Sequence, residues 1–73
     1  MKILSERKTM TLNLTESEMS TLEKLSKEKD MTKTAVLRQA LRLYQLIEHR
    51  IAHGEKLYLE DELSKEKKEL VVL

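Results

Sequence analysis

The chain has 73 residues, of which 40% are hydrophobic and 37% charged, with two Tyr, no Phe, no Trp, no Cys and a formal net charge of +1. That length allows one domain at most, and one too short to bury a large core without staples or a second chain. The absence of Cys removes disulfides and thiolate metal sites, so association with another chain is the remaining staple. No apolar run is long enough to span a bilayer, and Met1-Lys2-Ile3-Leu4 does not begin a signal peptide, so a cytoplasmic location and no membrane partner are expected. Charge is uneven along the chain. Residues 1–14 hold three basic side chains against one acidic, residues 15–54 seven against six, and residues 55–73 four against six.

Residues 1–6 are read as an N-terminal arm. Arg7 to Leu14 then alternates: Met10, Leu12 and Leu14 fall on one side of an extended chain, and Thr9, Thr11 and Asn13 on the other. One strand leaves both backbone edges unpaired. Helical patterns follow at once, so the simplest partner for this strand is its own copy in a second chain.

Thr15-Glu16-Ser17-Glu18 has the form of a capping box and opens a first helix. Met19, Leu22 and Leu25 make a narrow apolar stripe along it. The helix is expected to end near Lys29, with Asp30 where a glycine would be favoured. Met31-Thr32-Lys33-Thr34 begins a second helix, with Thr32 as N-cap, running to about His53 and stopped by Gly54. Val36, Leu37, Ala40, Leu41, Leu43, Tyr44, Ile47 and Ile51 share an arc of roughly 160° at 100° per residue. One short neighbouring helix cannot cover so wide an arc, which points to packing on a second copy. Leu46 falls outside it.

Residues 55–73 form a charged extension. Leu57 and Leu59 alternate with Tyr58, and Leu70-Val71-Val72-Leu73 supplies a second apolar run. A β-hairpin with a long charged turn is one reading, although no Gly, Pro or Asn marks the turn. A frayed or partly helical tail is the other.

Strand, capped helix, tight connection and longer helix, in that order, give a small, mostly α chain of α+β type. At this point the sequence resembles the ribbon-helix-helix family of CopG and Arc type repressors. The likeness covers about Arg7 to Glu48 and rests on Met10-Thr11-Leu12-Asn13-Leu14-Thr15-Glu16-Ser17, Leu22-Glu23-Lys24-Leu25, Met31-Thr32-Lys33-Thr34-Ala35-Val36-Leu37, and Ala40-Leu41 followed by Tyr44. Asp30 in place of glycine and the extension beyond Gly54 depart from it. The resemblance implies an intertwined homodimer whose two strands pair into an antiparallel ribbon in the DNA major groove.

It also implies that Thr9, Thr11 and Asn13 read bases. The chemistry agrees, since Asn can bond adenine at two atoms and Thr can offer a hydroxyl or a methyl. Thr32, Lys33 and Thr34 would clamp phosphate at a helix N-terminus, with Arg7 and Lys8 beside the ribbon. Met10, Leu12, Leu14, Leu22, Leu25, Val36, Leu37, Ala40, Leu41, Tyr44 and Ile47 would form the dimer core, within a domain spanning residues 7–54. Arg38 and Arg42 are read as surface charges.

A transcriptional repressor acting by occlusion, on double-stranded DNA and with no cofactor, is the function expected. Association of dimers beyond two chains is also open, through Leu46 and the extension. The rival is an antitoxin that represses its own operon with the same fold and binds a toxin through residues 55–73. A helical dimerisation module that binds no DNA is a third reading. His49 and His53 stand four apart, a spacing able to hold a metal, but no third ligand accompanies them and no metal site is expected. No nucleophile–base pair or glycine-rich loop suggests an enzyme.

Overall fold

The computed structural model describes residues 7–71. The expected arm at residues 1–6 and the final Val72 and Leu73 lie outside them. Two helices are followed by a two-stranded antiparallel sheet: α1 spans Glu16–Lys29, α2 Lys33–Ala52, β1 Tyr58–Glu60 and β2 Lys67–Glu69. The chain is thus mostly helical, with a small β element at its C-terminal end.

Both helices begin as their caps dictate. The Glu18 backbone N–H donates to the Thr15 hydroxyl at 3.1 Å, and the Thr15 N–H donates to the Glu18 carboxylate at 2.9 Å, completing the capping box. At α2 the Ala35 N–H donates to the Thr32 hydroxyl at 3.1 Å.

Both helices also end in the same pair of bonds. After α1, the N–H groups of Asp30 and Met31 donate to the carbonyls of Lys27 and Ser26. After α2, those of Gly54 and Glu55 donate to the carbonyls of Ile51 and Arg50. These are the nested bonds of a Schellman end, which requires a left-handed residue. Gly54 meets that need with φ 88°, and Asp30 with φ 52°. The Ser26 hydroxyl donates to the Met31 carbonyl and ties the connection further.

Asp30 carries a side chain into a region that favours glycine, and puts a negative charge at the negative end of α1. Asp30→Gly is expected to stabilise the fold by roughly 0.5–1 kcal/mol, after the greater chain entropy of glycine is allowed for. Urea denaturation measures it. A loss of stability would show instead that the Asp30 side chain holds the turn.

The hairpin forms, but not with the strands its apolar residues suggested. The return strand is Lys67–Glu69 rather than the terminal run from Leu70. Opposite charges sit across the ladder, with Glu60 facing Lys67. The turn needs no glycine because Asp61 builds it. The Asp61 carboxylate accepts from the N–H groups of Leu63 and Ser64 at 2.9 and 3.1 Å, and Lys65 takes the left-handed position at φ 63°. Those N–H groups, Ser64 first and Leu63 second, hold the Asp61 carboxyl below its ordinary value.

The sign of the pH effect follows. A depressed carboxyl stabilises the turn at neutral pH and loses that contribution as pH falls through its lowered pKa. The amide resonances of Leu63 and Ser64 should therefore titrate with a midpoint below that of an ordinary Asp. A midpoint at the ordinary value would remove the carboxylate from the turn.

Within the described residues the helices touch each other and the strands touch each other, but no helix touches a strand. Burial is sparse: Leu22 is 6% exposed and Val36 7%, and these two are the buried hydrophobic residues among those described. Each contributes about 1.5–3 kcal/mol, a small core for a chain of this length.

Candidate nucleic-acid interface

Residues 7–15 lead into α1 and join no sheet among the described residues. Thr9, Thr11 and Asn13 are exposed there, as are Arg7 and Lys8. The alternate residues are treated unequally. Met10 is 80% and Leu12 53% exposed, whereas Leu14 is half-buried. Met10 and Leu12 are thus two large apolar side chains left without apolar cover among the described residues, in a segment whose alternate positions carry hydroxyl and amide groups.

Beside this segment lies an apolar groove of about 290 Å³. It is lined by Leu14, Leu22, Leu25, Val36, Leu37 and Ala40, with Ser17, Glu18 and Thr21 at its edge. Six of the residues expected in a dimer core therefore come together in one open groove. Leu41 and Tyr44 extend the same face of α2 and are exposed, while Ile47 is half-buried. Glu48, one turn beyond Tyr44, raises the Tyr44 phenol above its ordinary value, through hydrogen bonding first and charge second.

The two helix N-termini differ in electrostatics. That of α1 is occupied by Glu16 and by the Glu18 of the capping box. That of α2 has no acidic residue in its first turn. Thr32 turns its hydroxyl to the Ala35 N–H, which leaves the Lys33 and Thr34 N–H groups without an intrahelical acceptor. An anion is favoured at such an end, by the free donors and by the aligned peptide dipoles. Lys33 and Thr34 are exposed and add an ammonium and a hydroxyl.

Arg38 and Arg42, assigned from the sequence to plain surface, line the same shallow depression as Thr32 and Thr34. The signal for this was the spacing of Thr34, Arg38 and Arg42, four residues apart along one helix face.

At the other end of α2 the His49 and His53 rings lie 4.4 Å apart. His53 Nδ1 is 2.8 Å from the His49 carbonyl oxygen, which can only accept, so Nδ1 carries the proton. Among the described residues no set of three metal-ligating side chains forms. No helix among them is long and apolar enough to cross a membrane.

Compared with protein-family models, with curated proteins and with solved structures, the chain shows no match.

Proposed function

We propose that this chain is a homodimeric, sequence-specific DNA-binding protein of ribbon-helix-helix type that represses transcription by occluding its site. The observation that carries the reading is an alternating segment, residues 7–15, that pairs with no strand among the described residues and lies beside an open groove lined by Leu14, Leu22, Leu25, Val36, Leu37 and Ala40. A second copy answers both needs. Its segment completes an antiparallel ribbon, and its Met10 and Leu12 cover apolar surface that the single chain leaves open.

Once paired, the ribbon presents Thr9, Thr11 and Asn13 from each chain on its outer face. A two-stranded ribbon fits the major groove, where amide and hydroxyl groups can read base edges. The two α2 N-termini, with Thr32, Lys33 and Thr34, hold phosphates on either side and fix the register without reading sequence. Arg38 and Arg42 extend that basic surface along α2, and Arg7 and Lys8 lie beside the ribbon.

Selection of bound sites from random duplex DNA, at stated salt, tests the reading. A short motif with twofold symmetry is the expected result, and the absence of any enriched motif would refute it. Lys33 has a separate signature. Lys33→Ala should weaken binding to all sequences alike and reduce the slope of log K against log salt by about one for each phosphate that Lys33 neutralises. An unchanged slope would remove Lys33 from the clamp.

A further inference from the structure

The end of α2 carries a second constellation, away from the residues assigned to DNA. His49 stands in the last turn of the helix, and His53 is the C-cap that follows it, one turn further along the same face. They are the two histidines of the chain, and both are exposed. Their ring centroids lie 4.4 Å apart, with the planes inclined at 46°.

Spacing alone gives two imidazoles with nothing to aim them. The fold supplies the aim. His53 Nδ1 is bonded to the His49 carbonyl oxygen at 2.8 Å, so in the neutral ring Nδ1 holds the proton and Nε2 keeps the lone pair. A ring N–H donated to a backbone carbonyl is the arrangement that stands behind metal-ligating imidazoles. It fixes the tautomer and the ring orientation, and it makes the opposite nitrogen a better donor to a metal. The exposed His49 ring can turn toward that nitrogen.

The surroundings suit a cation. The last carbonyls of α2 put the negative end of the helix dipole here. The neighbouring Arg50 guanidinium is offset by the Glu55 carboxylate at 3.1 Å. Glu48 is engaged with the Tyr44 phenol, and among the described residues no third His, Cys, Asp or Glu joins the pair. The protein ligands are therefore nitrogen alone. Imidazole suits zinc, nickel and copper, whereas magnesium and calcium take oxygen. Two nitrogens at about 2.0–2.1 Å from a tetrahedral zinc stand about 3.4 Å from each other. Rings with centroids 4.4 Å apart reach that spacing by side-chain rotation, with the helix backbone unchanged.

We infer that His49 and His53 together bind one divalent late first-row metal ion, of the zinc and nickel kind, as a two-imidazole clip over the end of α2. Water completes the coordination. Nε2 of His53 is the fixed ligand and His49 the adjustable one. The clip ties the last turn of the helix to its cap, just before Gly54 and Glu55 lead the chain out toward the hairpin. It does not depend on DNA binding.

Because the chain has two histidines, both can be followed by ring ¹H–¹⁵N NMR of the full-length protein as zinc chloride is added. Both rings should respond over one range of zinc concentration, with Nε2 as the ligating nitrogen of His53. H49Q should weaken the response of His53 at least tenfold. That variant keeps the backbone carbonyl that His53 Nδ1 meets, and its helicity by circular dichroism should match the parent. Nickel should compete with zinc, and magnesium at the same concentration should leave both rings unmoved. A response from one ring only, two rings titrating at separate concentrations, or ligation through His53 Nδ1 would overturn the clip.

Urea denaturation gives an independent readout. A metal bound to the folded turn at tenfold above its dissociation constant should raise the folding equilibrium constant about tenfold. The gain should vanish in H49Q. An H49Q chain stabilised by zinc as much as the parent, or a parent indifferent to zinc, would refute the proposal.

Discussion

Leu22→Ala should lower the unfolding free energy by about 2–5 kcal/mol, the usual cost of emptying a packed leucine site. Few positions can show such an effect, because among the described residues Leu22 and Val36 alone are buried. Leu22 also lines the groove that the proposed partner chain fills, so the substitution weakens packing within the chain and across the interface. Folded proteins of ordinary stability hold only about 5–15 kcal/mol in reserve. The variant is therefore expected to be largely unfolded at micromolar concentration by circular dichroism, and to recover helicity as concentration rises, since association draws chains into the folded state. Recovery without dependence on concentration would mean that the single chain folds alone. Leu46→Ala, outside the main groove, should cost far less.

Asn13→Ala carries the second large effect, on recognition rather than stability. Asn13 is exposed and its side chain takes part in no hydrogen bond among the described residues, so its removal leaves the fold unchanged. On the selected site the substitution should cost about 1–3 kcal/mol, tenfold or more in affinity, and relax base preference at the position read. Binding to random DNA should hardly change, because phosphate contacts supply most of that affinity. Titration of both duplexes at the same salt separates the two terms. Equal weakening of both would end the case for Asn13 as a base-reading residue.

The helical part of the fold was legible because its signals are local. Thr15 and Glu18 need only each other to make a cap, and Thr32 needs only the turn that follows it. Asp30 was readable as a left-handed position for the same reason. The hairpin was half legible. Apolar alternation marks β1, but it points to a return strand at Leu70 and beyond, because a charged run reads as solvated. What decides the register is the Asp61 carboxylate reaching two N–H groups ahead of it, followed by Lys65 at positive φ. The Asp61-Glu62-Leu63-Ser64 sequence carries that signal, but it is quieter than a glycine.

The candidate site divides in the same way. The N-terminus of α2 could be placed from Thr32 alone, whereas the grouping of Arg38 and Arg42 with Thr34 was written only in their four-residue spacing, which a reading of both as surface charge passes over. Residues 7–15 show alternation without a ladder. Their alternation is visible in the sequence, but a ladder is a property of two strands, and among the described residues no second strand pairs with them.

The contacts within the chain have one more consequence. Helix touches the next helix, strand pairs with the next strand, and nothing in residues 7–71 reaches across the chain from one end to the other. Such a chain has low contact order, so its loops close quickly and its units form early. The α1–α2 pair and the hairpin can each form without waiting for the other. In the proposed dimer, residues 7–15 are then the last part to find their place, because their ladder waits on a second chain.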